Sequence, residues 1–204
     1  MTRVHVVCEG PTEILFVNVT LQARFSTLHL IPFLPGKNYS KRQRGGDIKY
    51  DRVKPDIMRV LKHDRACYCT TLLDFYGLGR FPAKEEPRGS APENKAARIE
   101  LAVGDDIAEE MGPGFDRSRF FPYLSVHEFE ALLFSDPRRL AEGLGREELA
   151  GDFLAVRNGF ETPEHINDDP LKAPSKRLKS ICRGYDKPTG GNIAALAVGL
   201  DAMA

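Results

Sequence analysis

Hydrophobic positions along the chain alternate between short, mostly apolar runs and segments with helical spacing. Runs at residues 3–8, 28–34, 66–74 and 120–126 predict four strands. Segments at residues 11–25, 51–63 and 93–111 carry apolar residues at helical spacing and predict helices between these strands. Such an alternation is typical of a parallel sheet covered by helices. We therefore predict an α/β fold with a Rossmann-like sheet of about four mainly parallel strands.

The second predicted strand and the end of the chain refine this picture. Pro32 suits an edge strand or a bulge better than a central strand, because proline has no backbone N–H to donate. After residue 136 the pattern predicts mostly helix and loop. We predict an α/β core over residues 1–136 and a helical C-terminal extension over residues 137–204, packed on the core as a single domain overall.

Composition narrows the function only slightly. The 204 residues contain 29 Lys plus Arg and 29 Asp plus Glu, so the formal net charge is zero. Nucleic-acid binding would therefore need a local basic patch. No apolar run approaches the length of about 18 residues that suits a membrane span, and the first residues do not resemble a signal peptide. The four cysteines lack zinc-site spacing, which favours reduced thiols and a cytoplasmic protein.

Acidic residues follow three of the four predicted strands. Because the carboxyl ends of parallel strands meet at one edge of the sheet, we expect these side chains to converge. They would repel one another unless a cation lay between them. Mg²⁺ or Mn²⁺ prefers carboxylate oxygens and retains sites for a phosphate substrate, the usual setting of phosphodiester cleavage. The acidic residues are Glu9 and Glu13, then Asp74, then Glu128 and Glu130.

Each of these residues also has a structural interpretation. Glu13 would offset the helix dipole from a first helical turn, and Asp74 would cap a turn. Glu128 and Glu130 would point about 200° apart on a helix but would share a face in an extended segment. His127 is more often a hydrogen-bonded structural histidine than a metal ligand. Read alone, Glu9 is the least easily explained by capping, because it ends a buried strand before a glycine.

Two basic segments are candidates for holding substrate phosphates. One lies in a glycine-bearing loop after the second strand, and the other begins a predicted helix. Most such runs are a solvated loop or the polar face of a helix. If they bind a nucleic-acid backbone, affinity should fall steeply with salt. The candidate residues are Lys37, Lys41, Arg42, Arg44, Lys176 and Arg177.

Several motifs together resemble known families. "CEGPTE" after a strand and an aspartate ending a later strand are similar to the Toprim domain of topoisomerases, primases and overcoming-lysogenization-defect nucleases. More closely, "LLDFYGLGRFP", "FFPYLSVHEFEALLFSD", "APSKRLKSICRGYDK" and "GGNIAALAVGL" resemble a Toprim-like bacterial family, domain of unknown function 4276. The resemblance begins near Arg3 and also implies that relatives continue beyond the final "GLDAMA".

The Toprim resemblance implies specific roles. Glu9 would be a metal ligand or general acid/base, and Glu13 would be the second glutamate of the same motif. The aspartate pair that holds Mg²⁺ falls on Asp74 and Tyr76, so the second carboxylate is missing. We hypothesise that Glu128 or Glu130 supplies it.

Three functions follow from this reading. The first is a Mg²⁺- or Mn²⁺-dependent nuclease with DNA favoured over RNA as its substrate, in phage defence or DNA repair. Its catalytic residues would be Glu9, Asp74 and Glu128, with Glu13 and Glu130 as further metal ligands. The second is a catalytically degenerate subunit that binds a partner ATPase. The third is a receiver-like module in which Asp74 accepts a phosphoryl group.

Overall fold

A computed structural model describes residues 1–36, 48–84, 91–126, 128–167 and 172–203. The chain divides into two compact units. We call Met1–Asn18 with Phe25–Val126 the sheet unit, and Val19–Arg24 with His127–Ala204 the helical unit. The division at residue 136 and the single-domain organisation stay predictions.

The sheet unit contains a parallel sheet in the order β2-β1-β3-β4, with β5 also paired to β3. In register, Val6 of β1 lies opposite Pro32 of β2 and Thr70 of β3. The predicted fold class and the position of Pro32 on an end strand of this order are confirmed. The strands are β1 (Thr2–Cys8), β2 (Leu28–Phe33), β3 (Tyr68–Asp74), β4 (Phe120–Phe121) and β5 (Leu124–Ser125).

The prediction of one continuous strand over residues 120–126 is wrong. Two short strands, β4 and β5, replace it, and Pro122 lies between them. Proline cannot donate to a strand ladder. The Thr71 hydroxyl bridges the gap instead, since it donates to the Tyr123 carbonyl at 2.6 Å and accepts from the Tyr123 N–H at 2.8 Å.

Helices follow the strands of the sheet unit as the pattern predicted. Pro11 occupies the first helical position, where its missing N–H has no partner to lose. That helix continues through a π-helical turn into the helical unit. The elements are α1 (Pro11–Phe16), the π-helical segment Val17–Leu21, α2 (Gln22–Arg24), α3 (Tyr50–His63), α4 (Pro92–Met111) and the 3-10 helix Arg117–Arg119.

Alternate strand positions and two helices form the core of the sheet unit. Val7, Cys69 and Leu73 face α3 and α4 within one buried apolar cluster. Complete burial of a side chain such as Ile57 contributes about 1.5–3 kcal/mol relative to exposure. The helices contribute Val53, Ile57, Met58 and Leu61 from α3, and Ala96, Ile99, Val103 and Ile107 from α4.

The helical unit contains short helices with polar starts. The Asp136 carboxylate caps the helix Pro137–Gly143 by accepting the N–H groups of Arg138 and Arg139 at 3.1 Å. The Asp186 carboxylate caps the helix Lys187–Val198 by accepting the Thr189 N–H at 3.0 Å. The helices are α5 (Phe129–Leu133), α6 (Pro137–Gly143), α7 (Ala150–Asn158), α8 (Pro174–Ile181), α9 (Lys187–Val198) and α10 (Leu200–Met203), with 3-10 helices Glu147–Leu149 and Pro163–Asn167.

Aromatic and small residues pack the interior of the helical unit. Phe134 and Phe153 are completely buried and meet edge to face, with ring centroids 6.1 Å apart. Helices α6 and α9 approach closely at Gly143, where a Cβ atom would lie 2.8 Å from Ala194 Cα. A larger residue at 143 would therefore push these helices apart.

All four cysteines are buried and unpaired. Cys69 lies within β3 and Cys67 directly before it, in agreement with the buried run that the sequence predicted. Within the described parts of the chain, every helix is too short or too polar to cross a lipid bilayer.

Candidate metal centre

Glu9 and Asp74 lie side by side at the carboxyl edge of the sheet. Glu9 directly follows β1, and Asp74 is the last residue of β3. These two strands are parallel neighbours, with Cys8 opposite Leu72. The backbone N–H of Asp74 donates to Glu9 Oε2 at 3.1 Å. The structure therefore brings together the two residues that the sequence placed at neighbouring strand ends.

Gly77 sets the position of the Glu9 carboxylate. Its N–H donates to the Asp74 carbonyl at 3.0 Å, and its carbonyl accepts the Ile48 N–H at 3.2 Å, so this turn is held from both sides. A Cβ atom on Gly77 would lie 2.9 Å from Glu9 Oε1 and 3.1 Å from Oε2. The sequence analysis missed this role, although the glycines of "DFYGLG" directly after the strand were a signal of close approach.

Tyr76 lies two residues after Asp74, in the turn that follows β3. Its side chain is 56% exposed, and its backbone N–H donates to Asp74 Oδ1 at 2.9 Å. Partial burial and the negative charges of Glu93 and Asp74 raise the pKa of the Tyr76 hydroxyl. Tyr76 thus orients the Asp74 carboxylate through its backbone and presents a neutral aromatic ring beside it.

Glu13 lies in the first turn of α1, on the chain that leaves Glu9. Its Oε2 atom lies 3.2 Å from the position that a Cβ on Gly10 would occupy. Burial, followed by the charge of Glu13, raises the pKa of the Cys8 thiol to about 12, so Cys8 stays protonated. The position of Glu13 in the first turn of α1 suits an offset of the helix dipole, and its role as a metal ligand stays a prediction.

Glu128 and Glu130 belong to the helical unit, where they bind different partners. Glu128 directly precedes α5 with φ −56° and ψ 143°, outside the helical conformation, and Glu130 lies in the first turn of that helix. Glu128 Oε2 accepts the Ser175 N–H at 2.9 Å, in the first turn of α8. The anion at the start of α8 is therefore a carboxylate of the chain itself.

Glu130 is a completely buried carboxylate. Lys187 Nζ, in the first turn of α9, lies 3.1 Å from Glu130 Oε2. Burial raises the pKa of Glu130, opposed by the positive charge of Lys187 and reinforced by the negative charge of Glu128. Burial and the charge of Glu130 also raise the pKa of the nearby Tyr185 hydroxyl. The sequence analysis named neither Lys187 nor Tyr185 as partners, because they lie more than fifty residues away along the chain.

The basic residues predicted to bind substrate phosphates differ in their exposure and in their contacts. Lys176 is exposed at the start of α8. Arg177 Nε donates to the Lys172 carbonyl at 2.7 Å, and its guanidinium lies 5.0 Å from the centre of the Phe160 ring, so it already has local partners. His127 and the four basic residues of the first segment, Lys37, Lys41, Arg42 and Arg44, lie outside the described residues.

Comparisons with known proteins give a family and no activity. The model of the family described as "Domain of unknown function (DUF4276)" matches residues 8–204. No curated protein and no solved structure matches the chain.

Proposed function

The chain belongs to the DUF4276 family, and we propose that it is a divalent-metal-dependent enzyme that cleaves phosphodiester bonds in nucleic acid. The observation that carries this proposal is the contact between Asp74 N–H and Glu9 Oε2 at 3.1 Å. It holds two carboxylate residues together at the edge of a parallel sheet where ligands usually bind. The resemblance of "CEGPTE" and "LLD" to Toprim motifs supports the same assignment.

The donor set suits a hard cation. Carboxylate oxygens are the ligands that Mg²⁺ and Mn²⁺ prefer, and Glu9, Asp74 and Glu13 would hold the ion. When bound, such an ion supplies an activated water and stabilises charge on the phosphoryl group. Glu128 and Glu130 stay predicted ligands.

The surrounding residues orient the two carboxylates. Glu9 Oε2 accepts the Asp74 N–H, and the missing side chain of Gly77 leaves room for both Glu9 oxygens. Asp74 Oδ1 accepts the Tyr76 N–H. Backbone donors of this kind fix a carboxylate without adding positive charge, so its attraction for a cation is retained. The same fixed geometry would position Glu9 as a general base beside a bound phosphate.

A catalytically degenerate subunit that binds a partner ATPase is the second candidate. The observation that favours it is Tyr76, which points an exposed ring outward where a second aspartate would complete the metal site. Such a subunit would retain the sheet and the Glu9–Asp74 contact but would lack cleavage activity.

A cleavage assay separates these functions. Supercoiled plasmid, single-stranded DNA and RNA would each be incubated with the protein and Mg²⁺ or Mn²⁺. We expect cleavage by the wild type, a loss of at least about a hundredfold in Glu9→Gln and Asp74→Asn, and full activity in Glu109→Gln, which removes an exposed carboxylate of α4.

Two results would contradict the enzyme. Cleavage that persists in both Glu9→Gln and Asp74→Asn would show a contaminating nuclease or another site. A wild type that binds Mn²⁺ without cleaving any of the three substrates would favour the degenerate subunit. Transfer of phosphate from acetyl phosphate to Asp74 would instead support the receiver-like module.

A further inference from the structure

Three side chains with metal-binding atoms meet near the amino end of β3, away from the Glu9–Asp74 edge. They are His5 of β1, Asp64 directly after α3, and Cys67 directly before β3. One nitrogen, one oxygen and one sulfur atom from these residues all lie within 4.8 Å of one another. Asp74 ends the same strand, roughly 20 Å along β3.

The backbone that carries Asp64 and Cys67 is held in place. The Ala66 N–H donates to Asp64 Oδ1 at 3.0 Å and closes a tight turn. Arg119 donates to the carbonyls of Asp64 at 2.6 Å and of Leu61 and Cys67 at 3.0 Å. A fixed turn reduces the conformational entropy that would be lost on binding an ion.

We propose that His5, Asp64 and Cys67 form a binding site for a zinc-class transition-metal ion. An imidazole nitrogen, a thiolate and a carboxylate together select such an ion over Mg²⁺, which binds oxygen ligands. Bonds to zinc are about 2.0–2.3 Å long, so ligand atoms around one tetrahedral ion lie roughly 3.3–3.8 Å apart. Ligand atoms that lie up to 4.8 Å apart need to close by roughly 1.0–1.5 Å, within the reach of side-chain rotation.

Arg3 competes with the ion for Asp64. Its Nε and Nη2 atoms donate to the two Asp64 oxygens at 2.6 and 3.0 Å, and its side chain is 45% exposed. Binding therefore requires Arg3 to share or release the carboxylate and to turn toward solvent. The Cys67 thiol, which donates to the Asp64 carbonyl at 3.2 Å, would lose its proton to the solvent.

A cavity borders the proposed site at His5. It has a volume of about 380 Å³ and is lined by His5, Phe33, Arg59 and Val60 among other residues. Since the ion has three protein ligands, the fourth position would hold a water that reaches His5 from this cavity.

Titration of the purified full-length chain with Co²⁺ tests the site. A cobalt–thiolate bond gives charge-transfer absorption, and Zn²⁺ should displace Co²⁺ and remove it. We expect the band in the wild type, its loss in Cys67→Ser, and at least a tenfold weaker affinity in His5→Gln. Cys182→Ser, which changes another buried free cysteine, should leave the band intact.

Further variants make the test specific. Arg3→Met should tighten binding at least threefold, because it frees Asp64, and Glu9→Gln should leave the cobalt band unchanged. Circular dichroism would confirm that each variant is folded. The proposal is overturned if the wild type gives no thiolate band, if folded Cys67→Ser keeps it, or if Arg3→Met weakens binding.

Discussion

At the scale of single residues, Gly77 determines where the Glu9 carboxylate can lie. Its missing side chain leaves room for both Glu9 oxygens, which lie 2.9 and 3.1 Å from the position of a Cβ atom. The contact is with the end of a flexible side chain rather than with backbone, so a Cβ would displace Glu9 without disturbing the fold. The proposed role of Glu9 can therefore be tested without mutating Glu9 itself.

Gly77→Ala should weaken metal binding and preserve stability. We expect Mn²⁺ affinity to fall about tenfold, which corresponds to about 1.4 kcal/mol. The free energy of unfolding should change by less than about 1 kcal/mol, since only Glu9 has to move. Calorimetric titration and urea denaturation measure the two quantities.

Gly114→Ala is the matched control, because no atom lies within 4 Å of its Cβ position. It should change neither quantity. If Gly77→Ala binds Mn²⁺ as the wild type does, the Glu9 carboxylate does not need the position described, and its assigned role as a ligand is weakened.

Glu130 is a buried charge whose cost depends on pH. Because burial raises its pKa in the folded chain above that in the unfolded chain, the folded state favours the protonated form. Stability is therefore complete below the unfolded pKa and declines as pH rises through the folded pKa. Glu130→Gln keeps the shape of the side chain and removes this titration.

The difference in the free energy of unfolding between Glu130→Gln and the wild type should consequently change with pH. Between about pH 4 and about pH 7, the free energy of unfolding of the variant should rise relative to that of the wild type. Denaturant titrations at several pH values would measure this difference. An exposed substitution in the same unit, Glu142→Gln, should show no comparable trend. A difference that stays constant or falls with pH would mean that Lys187 outweighs burial.

At the scale of elements, the sequence predicted the strands and long helices well, because local periodicity determines them. It predicted β1 and α3 to within a residue or two, and Pro32 on an end strand. It failed where a tertiary contact replaces a local one. At the break around Pro122, Thr71, on another strand, supplies hydrogen bonds to Tyr123 in place of ladder bonds.

In the candidate site too, local sequence pattern predicted some contacts, and tertiary structure determined the others. Glu9 and Asp74 were predictable because strand ends of a parallel sheet share an edge. The partners Gly77, Ser175 and Lys187 were not, because each is brought to its carboxylate by a turn or helix start whose position depends on the whole fold. Periodicity carries no information on such long-range pairings.

Thr71→Val tests the bridge between β4 and β5. Thr71 is 4% exposed, and the substitution would remove its two partly buried hydrogen bonds to the Tyr123 N–H and carbonyl. We expect a loss of about 1–3 kcal/mol in the free energy of unfolding, measured by urea denaturation. Thr70→Val removes a more exposed hydroxyl that donates to Phe121 and should cost less than about 1 kcal/mol. Equal losses in both variants would contradict the bridging role of Thr71.

At the scale of the whole molecule, the chain combines zero net charge with an acidic sheet edge and a separate helical unit. The proposed function therefore requires that attraction for nucleic acid come from a bound cation and from local basic residues rather than from overall charge. Lys176 is the exposed basic candidate within the described part of the chain. Binding of a polyanion that depends on Mg²⁺ or Mn²⁺ would agree with this arrangement.

Isothermal titration of Mn²⁺ into the wild type, Glu9→Gln, Asp74→Asn and Glu109→Gln tests the metal centre most directly. A site built on Glu9 and Asp74 predicts binding in the wild type and Glu109→Gln, and affinity at least about tenfold weaker in each of the other two variants. Equal affinity for Mn²⁺ in all four folded proteins would contradict a metal site built on Glu9 and Asp74.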